Sequence, residues 1–322
     1  MKLLEATSKN INLAVEKLKS GGLVAFPTET VYGLGADGLN DIAVSKIFEV
    51  KQRPTFNPLI LHVSSLDMLN EIAENSNEKI SQLIDNFWPG PLTLILKKKN
   101  NVPYIVTSGL ETVAVRMPNN QIALELISKL GKPIAAPSAN SFSKLSPTKA
   151  EHVVKQLGNK VDIILDGGNC EVGVESTIIE VTDNSQILLR PGGIARERIE
   201  KVIGKLSNLI QNSISPNSPG QLNIHYAPNI PIYFYSENIL QDYLNKNIGV
   251  IFFSEIKNAD KFRIIKVLSG KADLHEAASN LFAHLHELEN SNLDLILVEK
   301  VDNIGLGSAI MDRLTKAVNK YL

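Results

Sequence analysis

Short apolar runs rich in Val, Ile and Leu recur through the first two thirds of the chain, with helical patterns between many of them. We predict strands at 23–26, 59–63, 92–97, 112–117, 134–136, 161–165, 177–181 and 186–189, and helices at 11–20, 41–50, 65–87 and 120–130. Continuously apolar strands are typical of sheets that are buried on both faces. Because strands and helices alternate only in part, the pattern predicts an α/β fold with a twisted mixed sheet covered by helices.

The composition changes after Leu206, where Asn, Ser, Pro and Gly become frequent up to about residue 228. Such a stretch is typical of a linker between domains. Alternating patterns then predict strands at 231–235, 249–253, 263–267 and 294–298, and helices at 238–246, 273–288 and 307–321. We therefore expect a first domain at 1–205, a linker or lid at 206–229, and a small βα domain with a mostly parallel sheet at 230–322.

Charge and cysteine content narrow the function classes. The formal net charge is −1, which argues against strong non-specific binding to nucleic acid. Cys170 is the only cysteine, so neither an intramolecular disulfide nor a cysteine-based zinc site is expected. No run approaches the roughly 18 apolar residues of a membrane span, and no secretion signal is evident at the N-terminus. We expect a cytoplasmic protein that does not enter a membrane.

The first polar segment, PTETVYGLGAD at 27–37, directly follows a predicted buried strand. Gly33 and Gly35 would allow a ligand to approach the backbone closely. Thr28, Thr30 and Tyr32 place hydroxyl groups at a strand end, where open α/β sheets bind ligands. A glycine-rich turn with capping threonines would give the same pattern.

Two cations, Lys51 and Arg53, come next and are followed by Pro54. Proline biases the residue before it away from helical geometry. If the helix ends here, extended backbone would aim both cations to one side, where they would suit a polyphosphate. The alternative is a solvated basic helix end.

Further polar residues stand at the ends of later strands. His62 lies in an apolar run, where a buried core histidine is the common alternative to a ligand contact. Arg116 ends a buried strand and must meet an anion, either a protein carboxylate or a substrate. Ser138 and Asn140 are two positions apart after a proline, and Arg190 ends another strand before a Gly-Gly turn. Together these strand ends predict one site at the rim of the sheet.

Several common chemistries are excluded, because the sequence has no GxxxxGK[ST] loop, no GxGxxG after a strand, and neither HExxH nor GxSxG. The sequence does resemble the L-threonylcarbamoyladenylate synthase family in its long form, with a YrdC-like domain and a smaller Rossmann-like C-terminal domain. The resemblance covers nearly the whole chain. It rests on PTETVYGLGAD (27–37), KQRPTFNPL (51–59), SAN (138–140), VGVEST (172–177), LRPGG (189–193), HYAP (225–228) and GLGSAIMDRL (305–314).

The resemblance implies a reaction of L-threonine, bicarbonate and ATP, with Mg²⁺, to threonylcarbamoyl-AMP and pyrophosphate. Other proteins would then transfer the threonylcarbamoyl group to tRNA, with weak or no direct tRNA binding by this chain. The residues implied for threonine are Thr30, His62, Arg116, Ala136 and Ser176. Those implied for ATP are Arg53, Asn57, Thr112, Ser138, Asn140, Ser146, Arg190 and Tyr226, with Lys51 and Arg53 as the catalytic cations, no protein ligand for the metal, and Tyr226 closing over the nucleotide.

One stretch departs from the family pattern. Basic and aromatic residues often lie between the SPG and HYAP parts of the linker, whereas this chain has Gln221-Leu222-Asn223-Ile224. The sequence therefore leaves open whether the linker contacts the triphosphate.

Two other classes remain open on sequence grounds. An RNA-binding module without catalysis would bind tRNA in a salt-dependent manner without ATP turnover. A carbamoyltransferase of related fold would need a carbamoyl donor and further domains. The sequence names no general base.

Overall fold

A large mixed sheet forms the first part of this computed structural model, which describes residues 1–182, 184–208, 219–220 and 222–322. Its strands are β1 (Lys2–Glu5), β2 (Val24–Phe26), β3 (Gly33–Asp37), β4 (Ile60–His62), β5 (Leu92–Lys97), β6 (Thr112–Arg116), β7 (Ile134–Ala135), β8 (Ile163–Asp166), β9 (Thr177–Val181), β10 (Gln186–Arg190) and β11 (Ser207–Asn208). Within the described residues the strand order is β1-β8-β2-β3-β7-β4-β6-β5-β9-β10-β11. Both parallel and antiparallel pairs occur along it, which confirms the predicted mixed sheet.

Eight helices cover this sheet within the same described ranges. They are α1 (Ser8–Lys19), α2 (Asp41–Lys51), α3 (Leu66–Ile72), α4 (Glu78–Phe87), α5 (Tyr104–Thr107), α6 (Gln121–Leu130), α7 (Ala150–Leu157) and α8 (Arg196–Ile203). The helical patterns predicted near 65–87 form two helices, α3 and α4, because Ala73 leaves helical geometry and pairs with Lys98 beside the sheet.

The glycine-rich motif at 33–37 forms strand β3, although glycine disfavours strands. The sequence analysis missed this strand for that reason. β3 runs antiparallel to β2, and a Cβ atom on Gly35 would lie 2.8 Å from side-chain atoms of Phe26 and Ile134. Close packing in the middle of the sheet therefore requires glycine at this position.

A second sheet follows, and all of its described pairs are parallel, as predicted for the small βα domain. Its elements are β12 (Ile232–Phe234), α9 (Glu237–Asp242), β13 (Ile248–Phe252), β14 (Ile264–Val267), α10 (Leu274–Glu289), β15 (Leu295–Val298) and α11 (Gly307–Val318). The strand order is β12-β15-β13-β14. Among the helices described, none has both the length and the apolar character needed to cross a membrane.

The two sheets belong to parts that share an apolar cluster. Leu145 and Val174 of the first part pack in the same cluster as Leu281, Phe282 and Ile310 of α10 and α11. The predicted linker begins within β11, which pairs with β10. Residues 209–218 and Gln221 of the linker lie outside the described residues, so its boundaries stay a prediction.

Candidate active site

A small cavity of about 50 Å³ lies where several strand ends of the large sheet meet. The sequence predicted fourteen site residues at such strand ends and in the segments beside them. The structure brings nine of them to the wall of this cavity: Thr30, Arg53, His62, Arg116, Ala136, Ser138, Ser176, Arg190 and Tyr226. The predicted convergence on one rim therefore holds for these nine.

Arg116, at the end of β6, organises one end of the cavity. Its Nη2 atom forms a buried ion pair at 2.6 Å with Glu29 Oε1, and its Nη1 donates to Thr30 Oγ1 at 2.9 Å. Its Nε donates to Gly90 O at 3.2 Å. Of the two alternatives raised for Arg116, the structure shows the protein carboxylate as its partner. Arg116 also lines the cavity, and its contact with a substrate stays a prediction.

His62 faces the same end of the cavity from the neighbouring strand β4, which pairs with β6 so that His62 lies opposite Arg116. Burial, and then the charge of Arg116, lower the pKa of His62 to about 3, so the imidazole is neutral at pH 7. Its Nδ1 atom is buried without a hydrogen-bond partner among the described residues. A neutral imidazole with a free nitrogen can form a hydrogen bond with a hydroxyl or an amine of a bound ligand.

Arg53 lies on the other side of the cavity, just after α2. The helix ends because Gln52 adopts a left-handed conformation (φ 54°). Arg53 Nε donates to Asn57 O at 3.0 Å, and Nη2 donates to Asn57 Oδ1 at 2.6 Å and to Pro58 O at 2.8 Å. Asn57 is fully buried behind Arg53 and does not line the cavity. Its direct role in the structure is to orient the guanidinium.

Lys51 does not share this direction, so the expectation of two exposed cations aimed to one side is wrong. Only 2% of Lys51 is exposed. Its Nζ donates to Ser138 O at 2.6 Å and to the backbone oxygen of Asn140, with Asn140 Oδ1 at 3.5 Å. The left-handed Gln52 separates the two side chains. Lys51 therefore fixes the loop that carries Ser138 rather than lining the cavity.

Arg190 closes the wall between these two groups. Its Nε and Nη2 donate to Ser176 O at 3.1 and 2.8 Å, and Nη2 also donates to Ser176 Oγ at 3.1 Å. The Ser176 hydroxyl lies 2.7 Å from Thr93 Oγ1. Burial lowers the pKa of Arg190. The positive wall of the cavity thus consists of Arg53, Arg116 and Arg190.

Three further predicted residues do not line the cavity. Thr112 begins β6, four residues before Arg116. Asn140 donates from Nδ2 to Ser141 O and Lys144 O, both at 2.9 Å. Ser146 is fully buried and donates to Glu175 Oε1. Contact of these residues with ATP stays a prediction.

Three residues of the site were missed by sequence reasoning. Glu175 and His225 line the cavity, and Arg313 of α11 donates from Nε to Glu175 Oε2 at 2.8 Å. All three lie in motifs of the family resemblance, which was the signal available. Burial alone would raise the pKa of Glu175, but the charges of Arg313 and Arg190 lower it to about 2.

The cavity is covered by Pro219, Gly220, His225 and Tyr226. The Tyr226 ring also packs on Phe282 of α10, with ring centroids 5.7 Å apart. Tyr226 therefore contacts both the cavity and the second part of the chain, and its closure over the nucleotide stays a prediction. Burial raises the pKa of Tyr226 to about 12, so its hydroxyl stays protonated.

A buried thiol lies behind the Arg116 end. Cys170 donates its backbone N–H to Thr148 O at 3.0 Å, and two residues later Val172 donates to Glu29 O at 2.8 Å. Glu29 is thereby held on the Cys170 segment.

The whole chain has close counterparts among known proteins. Residues 16–192 match the family described as "Telomere recombination", and residues 194–318 match "Threonylcarbamoyl-AMP synthase, C-terminal domain". The chain is 43% identical to the threonylcarbamoyl-AMP synthase of Pyrococcus abyssi, over 95% of this chain and 93% of that protein. It is 41% identical to that of Bacillus subtilis, over 98% of this chain and 94% of that protein.

Solved structures agree. The crystal structure of P. abyssi Sua5 complexed with L-threonine has a TM-score of 0.91 and 40% identity, covering 99% of this chain and 98% of that one. E. coli YciO resembles only part of the chain, with a TM-score of 0.53 and 28% identity over 59% of this chain and 94% of that one.

Proposed function

This chain belongs to the threonylcarbamoyl-AMP synthase family, and from that premise we propose how its cavity holds each reactant. The activity is an adenylyl transfer that yields threonylcarbamoyl-AMP. The observation that carries the proposal is the cavity itself, which is lined by three buried arginines, Arg53, Arg116 and Arg190, together with the buried His62.

L-Threonine binds at the Arg116 end. Arg116 provides a guanidinium for the amino-acid carboxylate, and Glu29 and Thr30 hold that guanidinium in place. Neutral His62 and the hydroxyl of Ser176 are available to the amine and the hydroxyl of threonine. A relative of 40% identity whose structure contains L-threonine supports this choice.

ATP binds at the opposite end, with its phosphates between Arg53 and Arg190. A carboxylate, bicarbonate and a triphosphate repel one another, so positive groups are needed where they meet. Arg53 is fixed by Asn57, and Ser138 lies on a loop fixed by Lys51. Cations held in place before the reaction stabilise developing charge without reorganising.

The chemistry needs no covalent bond to the protein. The threonine amine attacks the bicarbonate carbon, and the bicarbonate hydroxyl takes up the amine proton and leaves as water, which gives the carbamate. A carbamate oxygen then attacks the α-phosphorus of ATP and displaces pyrophosphate. Glu175 has a pKa of about 2 and His62 of about 3, so both are weak bases at neutral pH. We assign the acceptance of the amine proton to bound bicarbonate. Placing the three reactants side by side supplies about 7–11 kcal/mol of barrier reduction in favourable cases.

The protein does not form a metal site of its own within the described residues. Glu175 is the only carboxylate residue on the cavity wall there, and both of its oxygens already accept hydrogen bonds. No cluster of three His, Cys, Asp or Glu residues is present in those ranges. Mg²⁺ prefers several oxygen ligands, including substrate phosphates. We therefore propose that Mg²⁺ would be held mainly by the phosphates of ATP.

The residues that cover the cavity act as a lid. A space of about 50 Å³ holds only a few water molecules. Entry of ATP requires Gly220 and Tyr226 to move outward, and their return excludes water from the mixed anhydride.

We propose that the reaction takes place in the cytoplasm, because a single buried thiol is compatible with a reducing compartment. The product passes to separate proteins that transfer the threonylcarbamoyl group to tRNA. A net charge of −1 supports weak or absent direct tRNA binding by this chain.

The decisive experiment measures pyrophosphate release from ATP with L-threonine and bicarbonate omitted in turn. We expect release only when both are present. Equal release without either reactant would contradict the assignment, and salt-dependent tRNA binding without turnover would favour an RNA-binding module instead.

A further inference from the structure

Arg313 belongs to the second part of the chain, yet its guanidinium reaches the wall of the cavity in the first part. Its side chain is fully enclosed, with 0% exposure. Nη1 donates to Pro191 O at 2.7 Å and to Asp312 Oδ2 at 2.8 Å, while Nε donates to Glu175 Oε2. A fully buried arginine is costly unless it is paired, so this geometry is a specific arrangement.

Glu175 is the cavity residue that needs this partner. Its carboxylate lies on the cavity wall, and its other oxygen accepts from Ser146. Arg313 is its only ion-pair partner within 4.0 Å among the described residues. Without Arg313, a buried negative charge would face the space proposed for the triphosphate, and repulsion between like charges is strong in a poorly solvated site.

Tyr226 is the second cavity residue that Arg313 contacts. The Arg313 guanidinium carbon lies 5.1 Å from the centre of the Tyr226 ring, which is within the range of a cation–π interaction. One turn further along α11, Lys316 Nζ donates to Gly220 O at 2.7 Å. One face of α11 therefore contacts both Glu175 on the cavity wall and the residues Gly220 and Tyr226 that cover the cavity.

We propose that Arg313 is a positioning residue of the synthase site, through which the C-terminal domain neutralises Glu175 and orders Tyr226 for ATP binding. This inference rests on the proposed function. It gives the C-terminal domain a direct part in nucleotide binding, whereas among the described residues Arg313 forms no hydrogen bond with Thr30, His62 or Arg116.

The test is an Arg313→Met variant, with Michaelis constants measured separately for ATP and threonine. We expect the KM for ATP to rise about tenfold or more, and the KM for threonine to change less than about threefold, because only the nucleotide side gains an unpaired charge. Arg263→Met is the matched control: Arg263 is an exposed arginine of the same domain whose Nη1 contacts only Asn247 Oδ1, at 3.3 Å, and its loss should leave both constants unchanged.

A double variant separates charge neutralisation from simple docking of the domains. Removing one partner of a buried ion pair can unfold a protein, whereas removing both charges avoids the unpaired charge. We expect Glu175→Gln in the Arg313→Met background to restore most of the ATP affinity. A purely structural Arg313 would lower the thermal stability, move both Michaelis constants together, and gain nothing from Glu175→Gln; that result would overturn the proposal.

ATP affinity measured by calorimetry without turnover keeps this test independent of the reaction. If the wild-type protein binds ATP but releases no threonine-dependent pyrophosphate, the proposed function fails. If Arg313→Met then binds ATP as well as the wild type, the positioning role fails by itself.

Discussion

The Lys51 ammonium is surrounded by oxygen atoms of the loop that carries Ser138 and Asn140. Burial, and then the nearby Arg53, lower its pKa, while three oxygen acceptors favour the protonated form. We predict that Lys51→Met, which keeps the length of the side chain, destabilises the fold by about 1–3 kcal/mol, the cost of leaving buried carbonyl groups unpaired. Denaturant unfolding measures this loss.

The control for Lys51→Met is Lys79→Met, at an exposed lysine of α4, which should unfold like the wild type. Unchanged stability of Lys51→Met would show that the carbonyl groups find other partners.

Arg53 differs from Lys51 because it reaches the cavity. We predict that Arg53→Ala lowers turnover at least ~10²-fold, the scale found when one charge-stabilising donor is removed from an active site. Arg53→Lys should recover only part of the loss, since a point charge cannot replace a planar fork. Steady-state pyrophosphate release measures both variants, and near-normal turnover in a folded Arg53→Ala protein would refute the role.

The sequence predicted which residues form the site better than it predicted the directions of their side chains. The strand ends predicted that Thr30, Arg116 and Arg190 converge, because neighbouring strands of a sheet end at a common rim. They could not predict that Lys51 and Arg53 diverge, since that depends on one left-handed residue, Gln52, which carries no glycine signal.

At the scale of elements, α7 and α10 meet through a pair of histidines. The rings of His152 and His286 stack with centroids 3.8 Å apart. His152 Nδ1 accepts from Thr148 N at 3.3 Å, and His286 Nε2 donates to Ser146 O at 3.1 Å. Burial lowers the pKa of His152 to about 3 and that of His286 to about 4, with Lys149 and Lys155 nearby adding to the effect.

These pKa values make stability depend on pH. In the unfolded chain both histidines titrate near 6.5. Between pH 6.5 and about 3–4, these two imidazoles are protonated in the unfolded chain but neutral in the folded protein. The free energy of unfolding therefore decreases as the pH falls. We predict that the midpoint of thermal unfolding decreases between pH 7 and pH 5 by several degrees, at roughly 2–4 °C per kcal/mol lost.

A His152→Asn/His286→Gln variant tests the assignment, because the amide groups keep one hydrogen bond each but do not titrate. Its unfolding midpoint should fall less steeply with pH. Some slope should remain, since His62 and His225 are also buried, with their pKa lowered to about 3. Equal slopes in the two proteins would place the acid sensitivity elsewhere.

The element pattern also limits what a single sequence reveals. Apolar periodicity predicted β4, β13 and β15, whose residues are all buried, and β6, which is buried after its first residue. It missed β1, where three of the four residues are exposed, because such an edge strand has no apolar signal. The contact of α7 with α10 joins residues far apart in the chain and leaves no local pattern.

At the scale of the whole molecule, the covering segment meets the large sheet at Gly220. Its φ is +85°, and an added Cβ would lie 2.9 Å from Arg190 Cδ and 3.0 Å from Tyr226 Oη. We predict that Gly220→Ala disfavours the closed arrangement and lowers kcat/KM for ATP about tenfold, with threonine binding less affected. Steady-state kinetics with calorimetric threonine binding measures the difference.

The matched control is Gly204→Ala, because Gly204 has the same φ of +85° but open space around the position of a Cβ atom. Both variants share the strain of a left-handed alanine. A loss of activity that is equal in the two would assign the effect to backbone strain and not to closure.

The single thiol of the chain can report on local opening of the protein around it. Cys170 is buried on the segment that holds Glu29, and burial raises its pKa. Only a thiolate reacts with alkylating reagents, so each labelling event has to wait until this segment detaches. The labelling rate therefore depends on how often the Arg116 end of the cavity opens locally. Alkylation of Cys170 in the native protein thus measures this local opening, with no added probe.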